Sequence, residues 1–355
     1  MSVRITKLPG TAFLAFPEMK NLLTAELTER FGYGKIKDAA TISGSVFSSE
    51  NCRWYGDLLY CPDYTVSDIK DVPYWARTAM TEPFILNFES IGEAARALKE
   101  IQRNWAPYQY QFFRRGALIQ EKLPYINLKD RQFIKEDAVT GEKKFALEIP
   151  DSPMGLYTLI DDKTLIASAS TSSSLPGGAC NFVEDHENPP SRAYLKIQES
   201  LTMARHFFKV DLPAAGSRCF EAGACPGGWT WVLRELGADV YAVDRAELVP
   251  SLMEDPHVIF QAHDAFTLKP EEICQAMNTE KLDWVFSDVI CYPERLFEWV
   301  NMWLKSGRTK NMICTIKMQG AINWPLVQQF ADIPGSRVLH LNYNKHELTW
   351  INISE

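Results

Sequence analysis

The spacing of apolar and polar positions changes part-way along this 355-residue chain. From residue 218 onward, short apolar runs alternate with longer stretches of helical spacing. The runs Arg218–Glu221, Val240–Val243, Val258–Gln261, Trp284–Ser287, Met312–Ile316, Val338–Leu341 and Leu348–Ile353 read as strands. Between them, Glu294–Leu304 places Leu296, Trp299, Val300 and Trp303 on one stripe of a helix. Strands alternating with helices predict an α/β fold built on a mostly parallel, doubly wound sheet. The last two runs are joined only by Asn342–His346, which predicts a terminal antiparallel hairpin. The preceding half follows another pattern. Pro17–Phe31 and Ile91–Trp105 read as helices, and Phe84–Phe88 and Phe145–Ile149 as short strands, giving an α+β module. Ser, Gly and Pro cluster at Ser168–Gly178 and again at Glu187–Pro190, so the boundary is placed there: an N-terminal domain 1–188 and a second domain 189–355. No internal repeat is found.

Composition changes this picture little. An apolar fraction of 46% and an aromatic fraction of 12% supply ample core. No run approaches the length of a membrane span, and Met1–Gly10 lacks the apolar core of a signal peptide. The eight cysteines form no C-x-x-C pair, so neither zinc nor another metal is expected, and reduced thiols in a cytoplasmic protein are the plain reading. The net charge of −8 argues mildly against a surface coated for nucleic acid, although an average can hide a local basic face. Arg103–Arg115 interleaves aromatic and basic side chains, which suits unpaired bases and phosphates; a core strand with a charged end is the equal alternative. Lys305, Arg308 and Lys310 sit near a helix end, where cations suit the helix dipole.

The chemistry concentrates at the ends of the strands. Glu221-Ala222-Gly223-Ala224-Cys225-Pro226-Gly227-Gly228-Trp229-Thr230 follows the first apolar run and opens a helix. An acid, a glycine-rich turn and a helix N-terminus form the usual cradle for a nucleoside-type ligand in such a sheet. The turn has neither the lysine of a phosphate loop nor the G-x-G-x-x-G spacing of a dinucleotide fold, which leaves S-adenosylmethionine (SAM) as the leading ligand. Glu221, Gly223, Ala224, Cys225, Pro226, Gly227, Gly228 and Trp229 are its candidate contacts. Asp244 ends the next strand, where a carboxylate can accept ribose hydroxyls, and Asp264 ends the third, where an adenine-facing acid is expected; taken singly each reads as a helix cap, but three acids at successive strand ends after a glycine-rich turn favour the ligand. Asp288 ends the fourth strand and Lys317 the fifth. A lysine closing an apolar strand is costly to bury without a partner, although it can also snorkel to solvent. Glu347 opens the last strand, and Lys196 lies on a helix just ahead of the sheet.

Lys196, Asp288, Lys317 and Glu347 fall where the Lys-Asp-Lys-Glu tetrad lies in FtsJ-like (RrmJ) ribose 2′-O-methyltransferases, and residues 189–355 resemble that family. Pro190–Lys196, Ala224–Thr230, Asp288 ahead of Pro293, and Glu347-Leu348-Thr349 resemble its RlmM-type branch, which modifies large-subunit ribosomal RNA. The resemblance implies a Rossmann-like SAM-dependent methyltransferase fold and transfer of a methyl group from SAM to a ribose 2′-hydroxyl of ribosomal RNA, on a cytidine. It also implies a THUMP-like N-terminal module that recognises RNA; a monomer with no metal and no membrane partner is expected. Lys317 would be the proton acceptor or hydroxyl orienter. Asp288 would orient Lys317 beside the SAM methyl, and Lys196 and Glu347 would fix the ribose and the lysine. Desolvation and Lys196 should lower the Lys317 pKa, and Asp288 and Glu347 should oppose that fall. Two departures stand out: Glu221 occupies the place of the family's usual aspartate, and the N-terminal half is shortened. Transfer RNA or another RNA as substrate, a non-catalytic RNA-binding protein on the same fold, and a small-molecule methyltransferase are the alternatives.

Overall fold

The computed structural model describes residues 3–38, 51–139, 141 and 143–354. The chain forms two compact units, one of residues 1–129 and 149–181, the other of 130–148 and 182–355. A single cut at residue 188 therefore does not separate them. The segment 130–148 folds with the second unit because it is a small hairpin, Ile134–Glu136 paired with Lys143–Phe145, anchored by aromatic contacts. Phe133 meets Phe145 and Phe182 edge-on at ring separations of 5.3 and 6.0 Å, and Phe182 stacks on Tyr343 at 5.9 Å. The strand expected over Phe145–Ile149 is thus Lys143–Phe145, limited by a partner only three residues long.

The first unit is α+β. One sheet joins Arg4–Lys7, Phe84–Asn87, Thr164–Ser168, Gly155–Leu159 and Trp105–Pro107; a second joins Arg53–Tyr55, Leu58–Cys61, Thr11–Ala15 and Ala76–Met80. Its two expected helices occupy Lys20–Glu29 and Ile91–Ile101. The latter starts at a reciprocal cap between Ser90 and Glu93 and stops at Gln102, whose backbone is extended. Arg103–Arg115 divides between the two readings open to it. Trp105 and Ala106 are buried in a short strand, whereas Arg103, Phe112, Phe113 and Arg114 are exposed.

The second unit is the doubly wound sheet. Its strands are β1 (Arg218–Ala222), β2 (Asp239–Asp244), β3 (Val258–Ala262), β4 (Leu282–Ser287), β5 (Thr309–Lys317), β6 (Ser336–Leu339) and β7 (Glu347–Ile353). They lie in the order β3-β2-β1-β4-β5-β7-β6. Strands β1 to β5 are parallel, and β7 runs antiparallel to both β5 and β6. Helices α1 (Tyr194–Phe208), α2 (Gly228–Glu235) and α3 (Pro293–Ser306) are the ones that matter for the site. Helix α3 begins with Pro293 and ends at Gly307 in the left-handed conformation; it buries Leu296, Trp299, Val300 and Trp303, the stripe read from the sequence. Strand order reverses between β1 and β4, and in such sheets ligands bind outside the carboxyl ends of the strands at that switch point.

Candidate active site

Strand β1 ends in Glu221-Ala222 and the chain turns sharply. Gly223 has φ +82° and Gly227 φ +114°, which only glycine adopts readily. A Cβ on Gly223 would lie 2.8 Å from the Val289 side chain, and one on Gly227 would lie 2.3 Å from Leu252. The turn is thus closed from outside, and its glycines are required by both conformation and space. Cys225 and Pro226 are exposed, Ala224 is buried, and the Cys225–Pro226 peptide is cis. Two residues of the motif serve packing. Trp229 lies in the core edge-on to Phe286, and Gly228 lets the start of α2 approach Ser191. Both were expected at the cofactor; what the structure gives them is these packing contacts in the first turn of α2.

The acids at the strand ends behave differently from one another. Asp244 holds the turn: Cys225 N–H donates to Oδ2 at 3.0 Å and Ala246 N–H to Oδ1 at 3.2 Å. Asp264 is a helix cap, accepting from Phe266 N–H at 3.1 Å, and it also receives Arg245 and Arg295. Burial raises the pKa of Asp264, but the hydrogen bonds from Arg295, Phe266 and Arg245 outweigh it and hold the carboxyl below its ordinary range. The capping alternative accounts for Asp264 without a ligand. Glu221 is buried, and its carboxyl accepts a hydrogen bond from Thr230 Oγ1 at 2.5 Å. Burial is the main cause that pushes its pKa up to about 8; the nearby Asp288 and Asp244 add to the rise, and Thr230 opposes it. Burial thus favours the protonated form of this side chain.

Lys196, Asp288, Lys317 and Glu347 come together in one alternating ring. Lys196 Nζ reaches both oxygens of Asp288, at 3.1 and 3.0 Å, and Glu347 Oε1 at 2.5 Å. Lys317 Nζ contacts Asp288 Oδ1 at 2.6 Å and also bonds Glu347 Oε2. Register explains half of this, since Lys317 and Glu347 are directly opposed across β5 and β7. Helix α1 brings Lys196, and β4 delivers Asp288, whose N–H bonds Ala222 O at 3.2 Å on the neighbouring strand. The four side chains are 9 to 19% exposed, enough to meet a substrate from one side. Burial raises the Asp288 pKa, but Lys196 and Lys317 outweigh it and hold it below the ordinary carboxylate value. Burial lowers Lys317, but Asp288 and Glu347 outweigh that too and raise it above an ordinary amine. The expected fall towards neutrality does not occur in the resting ring.

Three supporting residues escaped the sequence reading. Thr315 Oγ1 donates to Asp288 Oδ1 at 2.6 Å; it lies two residues before Lys317, on the same face of β5. Thr230 partners Glu221 from the first turn of α2. Glu199, one turn beyond Lys196 on α1, is buried and accepts from Asn342 N–H at 3.0 Å, Asn342 Nδ2 at 2.8 Å and Tyr343 N–H at 3.1 Å. It ties α1 to the connection leading into Glu347, and burial pushes its pKa up to about 7. The cations Arg308 and Lys310 are used locally: Arg308 bonds Glu280 O at 3.0 Å and Lys310 pairs with Asp283 at 2.6 Å. Among the described residues, no group of three or more His, Cys, Asp and Glu could hold a metal ion, and no helix is long and apolar enough to cross a membrane.

Residues 189–314 match the family described as FtsJ-like methyltransferase. The chain carries an FtsJ-like methyltransferase domain. The match includes Lys196, the glycine turn and Asp288, and ends before Lys317 and Glu347, whose place in the ring rests on geometry. Among curated proteins, the chain is 37% identical over 131 residues to the ribosomal RNA large subunit methyltransferase M of Halorhodospira halophila, covering 37% of this chain and 36% of that protein. It is 31% identical over 172 residues to the protein of the same name from Aggregatibacter aphrophilus, covering 45 and 46%. The chain thus matches less than half the length of these relatives. Among solved structures, the fibrillarin pre-rRNA processing protein of Methanococcus jannaschii aligns over 64% of this chain and 96% of its own, at 17% identity and a TM-score of 0.34.

Proposed function

We propose that this protein transfers a methyl group from SAM to a ribose 2′-hydroxyl of RNA, with large-subunit ribosomal RNA as the substrate. The observation that carries this reading is the Lys196-Asp288-Lys317-Glu347 ring at the carboxyl end of the sheet, one strand from the glycine turn. The names of the curated relatives supply the choice of RNA. The second unit would hold the chemistry, and the first would recognise the RNA.

The turn fits SAM. Its backbone needs glycine at Gly223 and Gly227, and Asp244 sits beside it with lone pairs left over after its two backbone bonds. Ala224, Cys225, Pro226, Asp244 and Asp288 would hold the cofactor. SAM supplies an activated methyl group on a sulfonium centre, so the protein's task is to align a hydroxyl and dispose of one proton. In the ring, Lys317 offers N–H donors held by two carboxylates, and its raised pKa keeps it an ammonium at neutral pH. An ammonium has no lone pair, so the resting state suits orientation of the hydroxyl. To accept the proton, Lys317 must first give up its own. Asp288 and Glu347 fix both lysines, and Lys196 balances the two carboxylates.

The test is nucleotide-resolution 2′-O-methyl mapping of total RNA from cells with and without the gene, followed by methylation of the deficient RNA by the purified protein. One mark lost from large-subunit ribosomal RNA and restored in vitro is expected. A mark lost from transfer RNA would keep the chemistry and change the substrate. No lost mark and no transfer would leave a binding protein on a methyltransferase fold.

A further inference from the structure

Between Asp288 and α3 the chain runs through Val289-Ile290-Cys291-Tyr292 without helix or strand, and its burial alternates. Val289 is partly buried and packs over Gly223, and Cys291 is 8% exposed. The residues between and after them stand out: Ile290 is 83% exposed and Tyr292 65%. A single exposed apolar side chain needs no explanation. Here two of them lie two and four residues beyond Asp288, on a segment fastened at the intervening positions.

We propose that Ile290 and Tyr292 form a platform that receives the base of the target nucleotide, an inference that rests on the RNA-methylation reading above. A ribose hydroxyl brought to Lys317 carries its own base on the same sugar, so the base must find a surface close to the ring. An aromatic ring beside a branched aliphatic chain suits the flat face of an unstacked base. A phosphate would need a cation, and the nearby Arg295 is already bonded to Asp264 at 3.1 Å. The anchoring of Val289 and Cys291 keeps the platform in place before RNA arrives, so little ordering is required on binding.

The experiment uses the full chain. A mixed-sequence single-stranded oligoribonucleotide carrying 5-iodopyrimidines is bound, irradiated and mapped for cross-links by mass spectrometry. In parallel, RNA from cells lacking the gene is titrated in the methyl-transfer assay. A cross-link at Tyr292 is expected. Tyr292→Ala should raise the KM for RNA about 5- to 150-fold, the range of one base–aromatic stack, while SAM affinity stays unchanged. Tyr292→Trp should retain the wild-type KM. Ile290→Asp should act as Tyr292→Ala does. An unchanged RNA KM in Tyr292→Ala, or cross-links confined to other segments, overturns the platform while wild-type methylation upholds the function. Loss of self-association in Tyr292→Ala with RNA KM intact also overturns it, in favour of a contact between copies. If the wild-type protein methylates no RNA, both readings fall.

Discussion

Lys317→Met removes a charge while keeping a side chain of similar length. In the wild type the ring is neutral: two lysines face two carboxylates, and Lys317 touches both acids. After the change Asp288 and Glu347 share Lys196 alone, so a cluster whose side chains are 9 to 19% exposed carries a net negative charge. Removing one partner of a buried ion pair costs about 3–5 kcal/mol. The ring opens to solvent on one side, which places the expectation at the lower end, about 3 kcal/mol. That corresponds to a melting temperature lower by roughly 6–12 °C for a unit of this size. Methyl transfer should fall at least about 100-fold, the usual loss for a positioned proton-handling group. SAM affinity should survive, because the turn is untouched. Adding Glu347→Gln makes the cluster neutral again, with Lys196 and Asp288 still paired. The double variant should therefore regain stability without regaining activity. Calorimetric melts, tritium transfer from labelled SAM and titration with S-adenosylhomocysteine separate the three effects. A Lys317→Met protein that methylates at the wild-type rate would refute the role. A double variant no more stable than the single one would refute the charge-balance reasoning.

Glu221→Gln should flatten a pH dependence of stability. Below pH 4.5 both folded and unfolded chains hold this proton; above it the unfolded chain releases it, while the folded one keeps it until about pH 8. Folding therefore loses on the order of 4 kcal/mol across that window, and melts at pH 5 and pH 8 should show the variant gaining on the wild type at the higher pH. An equal difference at both values would remove burial as the cause. Glu199→Ala strands three N–H donors on Asn342 and Tyr343 and should lower kcat about 10-fold or more with S-adenosylhomocysteine affinity unchanged, while Glu199→Gln should fall between. A change in cofactor affinity alone would contradict the positioning role. Gly223→Ala forces a Cβ to within 2.8 Å of Val289 at φ +82° and should weaken cofactor binding by at least about 10-fold, checked by calorimetric titration; unchanged binding would show that the turn can yield.

The sheet was legible because its strands are short, apolar and regularly spaced. Each of the seven expected runs overlaps a strand, and the Asn342–His346 connection joins the antiparallel pair. The ring was legible only in part. Asp288 and Lys317 announce themselves as charges closing apolar runs, but that Lys317 faces Glu347 depends on a register between strands thirty residues apart. Charge state was the least legible feature. Whether burial or the carboxylates win at Lys317 is a matter of distances of 2.6 Å, which no spacing rule contains. Asp264 shows the opposite limit: its position suggested a ligand, and the two arginines that claim it lie 19 residues before and 31 residues after it. The hairpin at 130–148 was missed because its pairing is three residues long and its anchors, Phe182 and Tyr343, lie far along the chain.

That hairpin makes the two units inseparable at the level of the gene. The chain passes from one unit to the other three times, at 129/130, 148/149 and 181/182. No single splice separates the two units: a cut at 129/130 leaves residues 149–181 behind, and one at 181/182 takes the hairpin along and strips Phe133 from Phe182. A fragment starting at residue 189 would lack both the hairpin and Phe182, the ring that stacks on Tyr343 at 5.9 Å.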